Sequence, residues 1–536
     1  MKKFLLCLLC LCIVFSTVGC AGGGTSSGDA VGTIGKDSKN DNFPLTKEKV
    51  TFTIMATRWG NQGPYDDYAF TKAYEKLTNV HIDWIEATSA EGYKLKTLAF
   101  QSGDMPDAMM LIESTVSDND IHTYSKQGVI AELGDLIDKH APNIKKLLYS
   151  REDALASCVN DEGKIYSLPL ISLKETYNKE SMMYIRKSWM DNLGLDMPKT
   201  SQDFYDILTA FKNDDPNGNG KADEIPFAAS GISMWMWSPW GINIWYNRHY
   251  MAINEKEQIY FAPITDSAKN ALTFYRNLYN ANLMDQEIFE GNATALKKIV
   301  QQGNVGVFGG VDLETYLSQN LCEDYTPMPF FDSGYQGEFN GKATMATKST
   351  TGKHVFLLSE KCKNKELLMK WYDYLWSKEG SLLRIYGPEG DGYYEMTDDG
   401  KVKILDPSID ADYSRGPSWV MGSYGERIAK AAKSDMTWQE KWNEEVVGFD
   451  NLKEIYAGQL AEQNIGSLFF NEDEAYAVTN LGDTYNQTYY VLRDFITGAQ
   501  NIDTAWNAFV EDVVRKGIND TIAIYQNAYD RQHKDK

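Results

Sequence analysis

The stretch VTFTIMATRWGNQGPYDDYAFTKAYEKLTNVHIDWIEATSAEGYKLKTLAFQSGDMPDAMMLI (residues 50–112) switches repeatedly between two hydrophobic periods, and each switch marks a new element. Val50–Ala56 reads as a strand, Tyr68–Leu77 as an amphipathic helix, Val80–Ile85 as a strand, Tyr93–Gln101 as a helix and Ala108–Ile112 as a third strand. This order predicts an α/β fold with a parallel sheet covered by helices on both faces. Functional loops of such a sheet sit at the carboxyl ends of its strands, here 57–62, 87–89 and 113–115. Further helices are predicted over 265–281, 363–377, 427–433, 451–463 and 503–516. Lys365–Trp376 shows the pattern well, with Leu367, Leu368, Trp371 and Leu375 at helical spacing.

Around this stretch the chain has 536 residues, 43% hydrophobic and 24% charged, values of an ordinary globular protein with core enough for several domains. Its 75 Asp and Glu outnumber 53 Lys and Arg, and a net charge of −22 repels phosphate backbones, which excludes nucleic acid as a partner. Aromatics reach 12%, with 13 Trp and 32 Tyr, more than a plain core uses and suited to surfaces that stack on a ligand.

The N-terminus points outside the cytoplasm. Lys2 and Lys3 precede an uncharged apolar run from Phe4 to Phe15, and Ser16-Thr17-Val18-Gly19-Cys20 closes it with small residues. Residues 1–19 therefore read as a secretory signal peptide, and the run is too short for a spanning helix, which needs about 20 residues. Gly19-Cys20-Ala21 resembles the lipobox of bacterial lipoproteins, although Thr17 stands where that box has Leu. The resemblance implies an acylated (palmitate-bearing) Cys20 as the mature N-terminus; the alternative is an ordinary secretory signal with an incidental thiol. Two or more acyl chains hold a protein at the membrane where one alone binds marginally. Residues 20–46 have little to bury and read as a flexible tether. Cys158, Cys322 and Cys362, far apart in sequence, do not form a disulfide framework.

Several separated blocks resemble the family 1 extracellular solute-binding lipoproteins of ABC importers: YSKQGVIAELGDLIDKHAPN (124–143), DEGKIYSLPL (161–170), MYIRKSWMDNLGLDMPKTSQDF (183–204), GNVGVFGG (303–310), LLMKWYDYLWSKEG (367–380), YGPEGDGYYE (386–395) and DTAWNAFVEDVVRKGINDTIAIYQNAYDR (503–531). The similarity is to the large oligosaccharide-binding type, including alginate-binding periplasmic receptors. It implies a two-lobe periplasmic-binding-protein-like fold, with hinge crossings and a ligand cleft between the lobes. Lobe 1 is expected over 47–170 plus about 340–385, and lobe 2 over about 171–339 plus 386–536. The same resemblance implies a monomeric receptor on the extracellular face of a bacterial membrane, held there through its lipid anchor only, that passes an oligosaccharide to ABC permease subunits.

Residues 213–226, NDDPNGNGKADEIP, carry their own chemistry. Asp215, Asn217 and Asn219 alternate, Lys221 offers a carbonyl and Asp223 a carboxylate, matching the first nine positions of an EF-hand-type loop for calcium. Position 12 is Pro226 instead of a bidentate Glu; the similarity to alginate-binding receptors makes Glu224 the replacement ligand. A metal-free Asn/Gly/Asp turn is the alternative. The expected calcium is structural.

Ligand contacts are expected from aromatics and a few polar groups. Trp235, Trp237, Trp240, Trp245 and Tyr246 crowd twelve residues broken by Pro239 and Gly241, so some rings should face outward or into a cleft. Trp59 ends the first strand, Trp419 lies in a loop beside Arg415, and Tyr386, Glu389 and Tyr393 flank an open glycine-rich turn. Sugar rings pack their C–H faces on such planes and give their hydroxyls to amides and carboxylates. For each ring the competing reading is core, with Trp235 assigned there. Arg186 is a candidate for a substrate acid or a bridge within its lobe, and the abundance of aromatics favours neutral sugars over uronates. A glycoside hydrolase would need one carboxylate pair singled out, and none is. No nucleophile-elbow, zinc-protease or Walker motif occurs, so no catalytic residue is assigned. A peptide or sensor-linked receptor with the same anchor is the second reading.

Overall fold

Val50–Thr57 (β1) places Phe52, Ile54 and Ala56 in one buried cluster and Met55 in another, the two-residue period of a strand buried on both faces. The computed structural model describes residues 43–58, 63–112, 115–171, 181–229, 231–242, 244, 250–289, 293–310, 313–335, 343, 351–389, 394–398, 402–405, 438–459, 465–479 and 482–533. Val80–Ala87 (β2) and Ala108–Met110 (β3) pair with β1 in parallel, as the 50–112 pattern predicts. Leu168–Ile171 (β4) completes the sheet through an antiparallel strand from far downstream, so the sheet is mixed. The downstream elements follow in order: Met183–Arg186 (β5), Ile225–Ala229 (β6), Met251–Ile253 (β7), Ile259–Phe261 (β8), Val305–Gly309 (β9), Tyr325–Met328 (β10) and Thr351–Leu358 (β11).

Two larger sheets result. The first has order β2-β1-β3-β11-β4 and the second β10-β5-β9-β6. In the first, helices Ala69–Thr78 and Lys365–Tyr374 cover one face, while Ser89–Ser102 and Asp118–Lys126 cover the other. In the second, β6 and β9 are parallel and β5 is antiparallel to β9 and β10. Gly306 in β9 lies against the Phe211 and Trp189 rings, so a side chain there would occupy space the rings already fill.

Strand register shows which edges the chain joins. Ile171, at the carboxyl end of β4, pairs with Thr351, where β11 begins. Met183, where β5 begins, pairs with both Gly309, the carboxyl end of β9, and Met328, the end of β10. Two crossings between the sheets, 171 to 183 and 328 to 351, therefore have their described ends at the carboxyl edges of both sheets. In α/β sheets this is the edge where ligands bind.

The C-terminal helices Glu472–Thr479, Gly482–Thr497, Ile502–Arg515 and Ile518–Gln532 bury most of their apolar stripe in the second core. They are not confined to that lobe. The Gln532 Nε2 donates to the Ala156 carbonyl at 2.7 Å, and Phe469, just before the first of these helices, packs in a cluster of the first sheet. The helix expected over 451–463 is Phe449–Ile455, ended before Gly458, whose φ of +77° is left-handed. The helix expected over 427–433, the signal peptide, Cys20 and the tether up to residue 42 lie outside the described residues, whereas residues 43–46, expected as tether, pack on the first core: the Phe43 ring meets Tyr374 edge-on at 4.9 Å and the Leu45 N–H donates to the Thr78 carbonyl at 3.1 Å. Among the described residues no helix is long and apolar enough to cross a membrane.

Candidate functional site

At the carboxyl edge of the first sheet the chain leaves β1 through Arg58. Its Nε lies 2.6 Å from the Glu86 carboxylate at the end of β2, and the other Glu86 oxygen accepts from the Tyr65 N–H at 2.7 Å. Tyr65 donates its hydroxyl to the Thr57 carbonyl, which locks the two strand ends together. Helices Ser89–Ser102 and Asp118–Lys126 start at this edge, each behind a capping box, Thr88 with Glu91 and Ser117 with Asp120. Lys96 and Asp120 join them at 2.8 Å, and the Tyr93 ring stands 58% exposed under the Lys96 ammonium.

At the second sheet's carboxyl edge, β6 ends at Ala229 and β9 at Gly309. Gly309 lies against the Trp235 ring, where a Cβ would stand 3.2 Å from the indole. Trp235 is buried between Phe227 and Tyr275, 4.9 and 5.2 Å between centroids, which agrees with its core assignment.

Several expected ligand residues are elsewhere. Trp237 and Trp240 are each 1% exposed: two 3-10 turns, Met234–Met236 and Ser238–Trp240, fold the rings into the second core. Trp240 packs on Phe274, Tyr275 and Phe331 and donates its Nε1–H to Asn270 at 2.7 Å, so it offers no face to a sugar. Tyr386, also 1% exposed, packs on Tyr394 in a small satellite core with Leu382 and Val402. Arg186 is bound within its own lobe to Asp324 at 2.7 Å and to the Gly303 carbonyl, so it is not presented to a substrate acid. Burial works to raise the Asp324 carboxyl, but bonds from Ser188 and Arg186 hold it below its ordinary value. Glu389 is exposed and pairs through its backbone with Tyr394. Trp59, Trp245, Tyr393 and Trp419 lie outside the described residues.

The 213–226 loop is drawn into a tight curl by left-handed backbone at Asp215, Gly218 and Gly220. The Asn219 N–H donates to both Asp215 Oδ1 and Asn217 Oδ1, at 3.0 and 2.9 Å, and its side-chain amide meets Asp223 Oδ1 at 3.0 Å. Positions one, three, five and nine thus already converge. Among the described residues no three His, Cys, Asp or Glu side chains cluster as a metal site. The loop's donors are instead two Asp, two Asn amides, a carbonyl and Glu224. Glu224 Oε1 is buried without a hydrogen-bond partner, an orphaned acceptor beside the loop of the kind a hard cation satisfies. The donor set fits calcium.

A second polar cluster lies where the C-terminal segment meets the first sheet. The buried Asp118 carboxylate takes Lys353 Nζ at 2.6 Å, His354 Nε2 at 2.6 Å and the Phe470 N–H at 3.1 Å. Burial works to raise its pKa, but Lys353 and His354 outweigh that and hold it well below the carboxylate range. Burial lowers the His354 pKa, and the ring nitrogen facing Asp118 must carry the proton because a carboxylate only accepts. Nδ1 then accepts from Ser167 at 2.6 Å. With every partner supplied from within, this cluster is structural.

The model of the bacterial extracellular solute-binding proteins matches residues 59–381. FusA of Streptococcus pneumoniae serotype 4, a fructooligosaccharide ABC transporter substrate-binding protein, is 28% identical over 92% of both chains. Lipoprotein LipO of Bacillus subtilis is 28% identical over 64% of this chain and 68% of its own. The polygalacturonan/rhamnogalacturonan-binding protein YtcQ of the same organism is 23% identical over 74% of this chain and 75% of its own. Among solved structures, S. pneumoniae FusA in complex with kestose superposes with TM-score 0.74 at 27% identity, covering 91% of this chain and all of that one. An EF-hand mutant of FusA with fructo-nystose gives the same TM-score, identity and coverage. An extracellular solute-binding protein of Bifidobacterium longum subsp. infantis reaches TM-score 0.76 at 20% identity, over 90% of this chain and 98% of its own, a likeness of fold.

Proposed function

This chain belongs to the bacterial extracellular solute-binding protein family, and we propose that it captures a neutral oligosaccharide between its two lobes and delivers it to an ABC permease. The observation that carries this reading is the register: the strand ends on either side of two crossings, 171 to 183 and 328 to 351, lie at the carboxyl edges of the two sheets, so a ligand held there touches both lobes and favours their closure. Full-length similarity to a fructooligosaccharide receptor supports the cargo class. Neutral cargo is favoured over uronates because Arg58 and Arg186 are each paired with a carboxylate of this chain, Glu86 and Asp324. Lobe 1 is proposed over 47–170 plus about 340–385 and lobe 2 over about 171–339 plus 386–536, with the segment after 464 touching both. Specificity then lies in stacking and hydrogen bonds, with no covalent step and no catalytic residue.

Calorimetric titration of the chain with kestose, maltotriose, trigalacturonate and a peptide mixture tests the reading. Binding of a neutral sugar is expected. Uptake of trigalacturonate alone overturns the neutral cargo, and uptake of peptide alone overturns the sugar receptor in favour of a peptide receptor.

Calcium is proposed at Asp215, Asn217, Asn219, Asp223 and Glu224 with the Lys221 carbonyl, where its charge would tie the loop to the start of β6. The FusA EF-hand mutant supports the assignment. Chelation is expected to lower the melting temperature of the wild type and leave Asp215→Ala unmoved; equal curves for both proteins with and without chelator would refute it. The receptor is proposed to be a monomer anchored by acylated Cys20 on the outer face of the cell membrane. Similarity to a lipoprotein supports that anchor, and mass spectrometry of the mature N-terminus checks it.

A further inference from the structure

We propose that Tyr489 forms an aromatic sugar-contacting ledge on the second lobe, contributed by a C-terminal helix and facing the carboxyl edge of the sheet. The inference rests on the oligosaccharide reading above and adds a residue that meets the sugar.

Gly231 stands two residues beyond the end of β6 with φ +82°, and a Cβ built there would lie 3.2 Å from the Tyr489 hydroxyl. The phenol tip therefore rests over the carboxyl end of β6, where the sheet rule places ligands. Glycine is needed on two counts: the left-handed backbone and the space the hydroxyl takes. The Gly231 carbonyl accepts from the buried Trp235 Nε1 at 3.2 Å, which fixes the backbone under the ring.

Helix Gly482–Thr497 holds Tyr489 from behind. Tyr485, Thr488, Leu492 and Phe495 form its buried stripe, and Tyr489 sits at the border of that stripe, half-buried. A neutral phenol supplies what a sugar asks for: a flat face for C–H edges and a hydroxyl that both donates and accepts. The nearby cation, Arg493, is held by Asp494 at 2.8 Å, so the ledge suits an uncharged ring.

The test uses the whole chain and the sugar of the kestose, nystose, maltotriose and trigalacturonate panel that the wild type binds. Tyr489→Ala is expected to weaken binding at least about tenfold and Tyr489→Phe about threefold, with Tyr476→Ala on the neighbouring helix unchanged. Nitration with tetranitromethane gives a second reading that needs no variant: bound sugar is expected to protect Tyr489 and leave exposed Tyr476 reactive. Unchanged affinity of Tyr489→Ala, or equal nitration of Tyr489 with and without sugar, overturns the ledge alone. A wild-type chain that binds none of these sugars overturns the receptor reading and the ledge together.

Discussion

Asp373 shows how one side chain can serve and strain the fold together. It lies on helix Lys365–Tyr374 and accepts from the Ile144 N–H and the Asn143 side-chain amide, each at 2.8 Å. It thus caps, from another helix, the first turn of Pro142–Tyr149, whose own cap residue Ala141 has no side-chain acceptor. Burial pushes the carboxyl up to about 6 despite these bonds. A raised carboxyl pKa means the native state holds the proton more tightly. The stabilisation is complete below the unfolded value near 3.9 and is lost as pH rises through about 6, a span worth about 3 kcal/mol. Asp373→Asn keeps an oxygen for Ile144 and cannot ionise. The stability of wild type minus variant, followed by urea unfolding, is expected to move in the wild type's favour from pH 7 to pH 4; a difference constant with pH would contradict this. At the same scale, the buried Trp240 shows where local reading stops. Pro239 and Gly241 do break a helix, as the sequence says. The rings turn inward because Phe274, Tyr275 and Phe331, distant in sequence, surround them, and no local pattern reports that.

Elements were more legible than side chains. Strands read at 50–56 and 80–85 occur at Val50–Thr57 and Val80–Ala87, and the helix read at 68–77 occurs at Ala69–Thr78, closed by left-handed Asn79. Period alone finds them because each buries a definite face. β11 was not legible as a partner of β3 and β4: its antiparallel place between them is set by the crossing back from the second sheet. The repeated glycines of GNVGVFGG have a packing reason that sequence leaves open. In β9, Gly306 takes the closest approach of the Phe211 and Trp189 rings; a Cβ would stand 2.9 Å from Trp189 Cε3 and nearer still to Phe211. Overpacking of this kind costs about 1–3 kcal/mol. Gly306→Ala is expected to lower the urea midpoint without altering the slope, and an unmoved midpoint would show that the rings simply step aside. Tyr489 carried no signal either, being one tyrosine in an ordinary amphipathic helix until Gly231 is brought beneath its hydroxyl.

For the whole molecule, the C-terminal segment decides whether two sheets behave as one folding unit. Ser467 Oγ donates to the Thr351 carbonyl and Lys353 Nζ to the Leu468 carbonyl, each at 2.5 Å, and His122 holds the Phe470 carbonyl at 2.8 Å. The last helix, Ile518–Gln532, reaches both lobes. Gln526 accepts from the Ile259 N–H of β8 at 2.7 Å, and Gln532 bonds the Ala156 carbonyl. Phe470 packs edge-on against Tyr525 at 4.9 Å, so strut and segment support each other. Hydrogen bonds of this kind contribute about 0.5–1.5 kcal/mol each, and those across the lobes make separate unfolding of either one unfavourable. Calorimetry of the wild type is expected to give one cooperative transition, with van't Hoff and calorimetric enthalpies near equality. Ser467→Ala with Gln532→Ala removes bonds from both the segment and the strut while leaving each sheet and its core intact. That double variant is expected to drive the enthalpy ratio below unity or to split the peak. Two separate transitions already in the wild type would mean the lobes are only tethered, and an unchanged ratio in the double variant would assign the coupling to packing of Phe469 and Phe470 instead of to these polar ties.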